Sequence, residues 1–74
     1  MAGNLNPYLK PYLTKRQKEC LRLMAGGKTA QAIALELGIS VRMVRWHLQR
    51  AREYLGAASS AQAVHLAFKA GLLK

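Results

Sequence analysis

The sequence predicts an all-α fold, a bundle of four helices behind a short N-terminal arm. Apolar residues recur at helical spacing in four separate segments, and no stretch alternates with the two-residue period of a strand. Hydroxyl residues open those segments and glycines close them, which is how helices are punctuated. Two of the segments are joined by a tight turn containing a glycine.

Residues 1–12 read as the arm and residues 13–74 as the helical domain. Pro7 and Pro11 exclude a regular helix in the arm, while Tyr8, Leu9, Tyr12 and Leu13 offer apolar groups to pin part of it down. Thr14 and Gln17 have the spacing of a capping box, in which each side chain satisfies the other's orphan backbone N–H. They open a first helix with Cys20, Leu21, Leu23 and Met24 on its apolar side, stopped by Gly26 and Gly27. Thr29 caps a short second helix, Ala30 to Leu37, on which Ile33, Ala34 and Leu37 face one way. The small residues Ala30 and Ala34 let a neighbouring helix approach closely, and Gly38 ends the segment.

Ser40 restarts the chain, so the second and third segments form a helix-turn-helix. Wound at about 100° per residue, the third helix, from about Val41 to Leu55, has Val44, Leu48, Ala51 and Leu55 on one stripe. Arg42, Arg45, Gln49 and Arg52 fall across the other side, and Trp46 lands among them. Gly56 closes this helix. Ser59 and Gln62 repeat the capping-box spacing for a last helix, about Ser60 to Ala70, which carries Ala63, Val64, Ala67 and Phe68 before Gly71.

At 74 residues and 51% hydrophobic composition, the chain is one small domain, and many of its apolar residues are alanines of little area. Twelve Lys and Arg stand against Glu19, Glu36 and Glu53, a formal charge of +9. Such an excess calls for a polyanion, with nucleic acid first and an anionic membrane second. Basic amphipathic helices can lie on anionic lipid, but ordered glycine stops and capping boxes argue for a globule, and no membrane partner is expected. No apolar run approaches the roughly 20 residues that span a bilayer, and the N-terminus lacks a signal-peptide pattern, so the expected location is intracellular. The single Cys20 suits a reducing cytosol and reads as a small core residue. His47 and His65 stand alone, the glutamates are scattered, and no zinc spacing or phosphate loop occurs, so neither an enzyme nor a cofactor is expected.

A helix-turn-helix lays its second helix in the major groove of double-stranded DNA. The expected base-reading residues are therefore Arg42, Arg45, Trp46 and Gln49, since arginine forks onto guanine and glutamine pairs with adenine. The expected phosphate contacts are Lys15 and Arg16 at the start of the first helix, Lys28 and Thr29 at the start of the second, and Arg50 and Arg52. On the reading helix Trp46 presses against thymine methyls or sugar edges; the alternatives are packing against the arm or burial in a dimer contact.

The motifs LTKRQKECLRLMAGG, IALELGIS, the VR-H step from Val44 to His47, Leu55–Gly56 and the terminal QAV---AFKAGLL together resemble the LuxR/GerE-type DNA-binding domain, from Leu13 to about Leu73. The resemblance implies a four-helix domain whose third helix reads the major groove. It places Arg45 at the family's basic reading position, Trp46 and Gln49 at other base-facing positions, Thr29 near phosphate and His47 beside the core. It also implies a homodimer through the last helix on two-fold symmetric DNA, with Val64, Ala67, Phe68 and Leu72 as candidates; so small a patch suits a dimer that assembles only on its site. Gln17, Ala32 and Ser60 stand where family members usually carry Glu, Glu and Arg. The implied protein is a sequence-specific transcriptional regulator in a bacterial cytoplasm, of bacterial or phage origin and associated with the nucleoid. It is expected either to stand alone, GerE-like, or to be a piece of a longer regulator. The alternative is a protein similar to sigma-factor region 4, which reads a promoter while touching RNA polymerase; the terminal helix favours the first reading.

Overall fold

The computed structural model describes residues 13–73, so the expected arm, residues 1–12, lies outside the described residues. Four helices follow in order: α1 (Lys15–Ala25), α2 (Ala30–Leu37), α3 (Val41–Leu55) and α4 (Ser60–Lys69). The described residues contain no strand.

Each helix starts at the hydroxyl residue that the sequence predicts. Thr14 Oγ1 accepts from the Gln17 backbone N–H at 3.1 Å, and Gln17 Oε1 accepts from the Thr14 N–H at 3.1 Å, so the box is complete without the family's usual glutamate. Thr29 Oγ1 takes the Ala32 N–H at 3.1 Å, and Ser40 Oγ takes the Met43 N–H at 3.0 Å. At α4 the expected box is altered. Ser59 Oγ takes the Gln62 N–H at 3.1 Å, but Gln62 Oε1 accepts from Ala58 at 2.7 Å rather than from Ser59. Ser59 is far more extended (φ −147°) than the other caps (φ −73° to −77°), which turns its own N–H aside and brings that of Ala58 into reach. This helix ends at Lys69 with Ala70 as its cap, one residue short of the expected Ala70 end.

The helices are held by one apolar core. Leu21 of α1, Ile33 of α2 and Val44 of α3 are its largest fully buried side chains. Each contributes roughly 1.5–3 kcal/mol of transfer free energy. Leu13 just before α1 and Leu73 just after α4 are buried in the same core, which ties both ends of the domain to it. Helix α3 packs against α1, α2 and α4, whereas α2 and α4 do not meet. Small residues make that central position feasible. Ala34, Ala51, Ala63 and Ala67 are all buried, so neighbouring backbones approach α3 without large side chains between them. Ala67, expected at a dimer surface, is therefore part of the protomer's own core.

The α2–α3 turn fixes how the two helices of the helix-turn-helix are set. Gly38 sits in the left-handed region (φ 69°, ψ 33°), and the next N–H, that of Ile39, reaches back to the Ala34 carbonyl at 3.1 Å. A Cβ added at Gly38 would meet nothing within 4 Å, so backbone conformation rather than space selects glycine here. Gly38→Ala is expected to lower stability by about 1–2 kcal/mol, the penalty of a left-handed L-residue. Urea unfolding followed by circular dichroism should show an earlier midpoint with an unchanged slope.

Candidate nucleic-acid interface

Because Val44, Leu48 and Ala51 are buried, the opposite face of α3 is turned to solvent. Arg42, Arg45, Trp46 and Gln49 are all exposed there, as the sequence predicts. Arg42 and Arg45 have no ion pair or hydrogen bond with any described residue, so their guanidinium forks are open to an external acceptor. Trp46 is 45% exposed. The Arg50 guanidinium lies over its ring, 5.1 Å from the centroid, and the His47 ring meets it edge-on at 5.2 Å and 75°. The tryptophan is thus restrained from two sides while nearly half of it remains accessible.

The expected phosphate contacts differ in how free they are. Lys15 is exposed at the first turn of α1. Arg16 pairs with Glu19 at 3.3 Å, Lys28 with Glu36 at 3.4 Å and Arg50 with Glu53 at 3.3 Å, all across solvent-accessible side chains. Exposed pairs of this kind are worth roughly 0–1 kcal/mol, so each cation can exchange its carboxylate for a phosphate at small cost. Thr29 is exposed, and its hydroxyl is committed to the α2 cap. Arg52 stands apart: it is half-buried and its Nη1 donates to Ser60 Oγ at 3.4 Å, linking α3 to α4. Ser60, where the family usually has arginine, thus accepts a hydrogen bond from a basic side chain of α3.

Of the expected dimer residues, Phe68 is 44% exposed and Val64 and Leu72 are half-buried. One helical step from Ala67 to Phe68 carries the chain from core to surface.

The residue that sequence reasoning passed over is Glu53. It lies on the outward face of α3 and accepts from both Arg50 and Gln49, the latter through Nε2 at 3.4 Å. Its signal was present in the three- and four-residue spacings back to Arg50 and Gln49.

His47 lies on the α1 side of the exposed face. Its Nδ1 is buried with no hydrogen-bond partner among the described residues. Burial, and then the nearby Arg16 guanidinium, hold the imidazole below its ordinary pKa. Burial likewise pushes the Cys20 thiol up, keeping it protonated and unreactive inside the core. Among the described residues, no group of His, Cys, Asp or Glu is arranged to hold a metal ion, and no helix is long and apolar enough to cross a membrane.

Three comparisons bear on this geometry. The family described as bacterial regulatory proteins, luxR family, matches residues 11–67. The chain is similar to the spore germination protein GerE of Bacillus subtilis, 46% identical over 55 residues that make up 74% of each chain. Among solved structures, that of the transcription factor GerE superposes with a TM-score of 0.80 at 29% identity, over 84% of this chain and 92% of the other. A complex of Vibrio cholerae VqmA with ligand and DNA gives 0.74 at 35% identity, over 97% of this chain but 31% of the other. Several curated transcriptional regulators also match over about the same stretch, and the chain spans only about a quarter to a third of their length.

The depressed pKa of His47 has a consequence for stability. The unfolded chain takes up a proton near the ordinary histidine pKa of about 6.5, before the folded one does. The contribution is therefore complete above that pH and is lost as pH falls below it toward the folded pKa. The melting temperature should drop between about pH 7 and pH 5, and His47→Gln should flatten that dependence.

Proposed function

Since the chain belongs to the luxR family of bacterial regulatory proteins, whose members are DNA-binding transcription regulators rather than enzymes, we propose that it is a sequence-specific regulator that reads double-stranded DNA with α3. One observation carries the reading. The buried stripe of α3 leaves Arg42, Arg45, Trp46 and Gln49 together on its exposed face, and the two arginines have no internal partner among the described residues. That set has the chemistry of direct readout. Arg42 and Arg45 can fork onto guanine O6 and N7, Gln49 can bridge adenine N6 and N7, and the Trp46 ring can cover a thymine methyl.

Lys15, Arg16, Lys28 and Arg50 supply phosphate contacts, with the α2 N-terminus behind Thr29 presenting backbone N–H groups to another. Arg52 serves mainly to hold α4 against α3 and reaches phosphate only by leaving Ser60. The protein works as a homodimer on a two-fold symmetric site, joined through Val64, Phe68 and Leu72 of the α4 region. It acts on the nucleoid in the bacterial cytoplasm. The integration of α4 into the core supports this reading over a promoter-binding unit that ends after its reading helix.

Binding to a random duplex pool, followed by affinity measurement on the selected site, tests the proposal. The selected sequences should show two half-sites. If each subunit neutralises about three phosphates, log K should fall with log salt at a slope of about −5, and a flat response would refute the scheme. Arg45→Ala should lose about 1–3 kcal/mol on the selected site and relax one base position, whereas Lys28→Ala should weaken all sequences about equally.

A further inference from the structure

We propose that Glu53 is a positioning residue that makes Gln49 an adenine reader. The inference rests on the reading of α3 as the base-contacting helix and adds a residue to it. Glu53 is an acid on an otherwise cationic face, and its carboxylate is divided between two neighbours. Oε2 accepts from Gln49 Nε2 at 3.4 Å, and Oε1 accepts from Arg50 Nη1 at 3.3 Å. Arg50 in turn lies over Trp46 at 5.1 Å. One carboxylate therefore binds the expected base-facing Gln49 directly and is linked to Trp46 through Arg50.

The chemistry of the contact decides which way the Gln49 amide faces. A carboxylate only accepts, so it can bind the amide nitrogen and repels the amide oxygen. With one N–H of Nε2 held by Glu53, Gln49 is left with Oε1 and the second N–H. An acceptor beside a donor is the complement of the adenine major-groove edge, which offers an N6 donor beside the N7 acceptor. Without Glu53 the amide is free to turn over and to sample other edges. The same carboxylate holds Arg50 against the tryptophan, so that base-facing groups are set before DNA arrives. As an anion it also opposes phosphate, and this opposition applies equally to every sequence.

The experiment compares wild type, Glu53→Ala, Glu53→Gln, Gln49→Ala and the Glu53→Ala/Gln49→Ala double variant. Each 74-residue chain is run through selection from a randomised duplex pool and then titrated against the selected duplex and its single-base variants. Circular dichroism checks that each variant is folded. Wild type should prefer adenine at one position of each half-site by about tenfold, and Gln49→Ala should remove that preference. Glu53→Ala should reduce it to within about threefold while tightening non-specific binding a few-fold, and the double variant should add nothing at that position. Glu53→Gln, which keeps an acceptor without the charge, should retain more of the preference than Glu53→Ala. If Gln49→Ala abolishes the preference while both Glu53 variants keep it, the positioning role is overturned and the base-reading helix stands. If Gln49→Ala changes nothing at any position, the base-reading role of Gln49 falls and this inference falls with it.

Discussion

The burial of one stripe of α3 governs the rest of this molecule. Val44, Leu48 and Ala51 are enclosed by three other helices, so the rotation of α3 about its own axis is determined by the core. A turn of one residue, about 100°, would drive Arg45 or Met43 toward the interior. An unpaired guanidinium in an apolar core is prohibitively unfavourable. The same helix is thus the hub of the fold and the bearer of an exposed cationic face, and the two are compatible only because they occupy opposite sides. A mutation in the stripe also acts on that exposed face, since it loosens the angle at which the cationic side chains are held.

Electrostatics then divides the cations into two kinds. Each glutamate is matched by a nearby base: Glu19 by Arg16, Glu36 by Lys28 and Glu53 by Arg50. These pairs are exposed and weak, and they moderate the field locally without cancelling a charge of +9. Arg42 and Arg45 are left unmatched among the described residues, on the face that carries Trp46 and Gln49. Net charge attracts any polyanion, whereas unmatched forks beside a restrained tryptophan have the chemistry to discriminate within that class.

A domain this small has few large side chains to bury, and its cohesion depends on fit more than on area. Alanines at four buried positions bring the helices close, and the left-handed Gly38 sets α2 and α3 at one angle. Leu13 and Leu73 close the core from outside the helices. Gln17, where a glutamate is usual, still completes the first cap, because the capping function needs an acceptor and not a charge.

Local order was legible in the sequence because it is encoded locally. Hydroxyl caps, glycine stops and the 3.6-residue period locate the four helices within a residue, and the α3 stripe places Val44, Leu48 and Ala51 in the core, although Leu55 on the stripe and Arg52 on the other side are both only half-buried. What spacing alone could not supply was the partner of each side chain. That Ala67 belongs to the core while Phe68 is exposed depends on which helix α4 meets. That Gln62 caps through Ala58 depends on how far Ser59 is extended. That Arg52 turns to Ser60, that burial and then the nearby Arg16 lower the His47 pKa, and that Glu53 holds Gln49 and Arg50 together are matters of packing and side-chain reach. Where helices begin and end and which face is apolar follow from backbone geometry and local hydrogen bonds, so residue spacing is enough to read them. Tertiary structure decided which charges remain free, because charge pairing is a contest among neighbours that only packing brings within a few ångströms of one another.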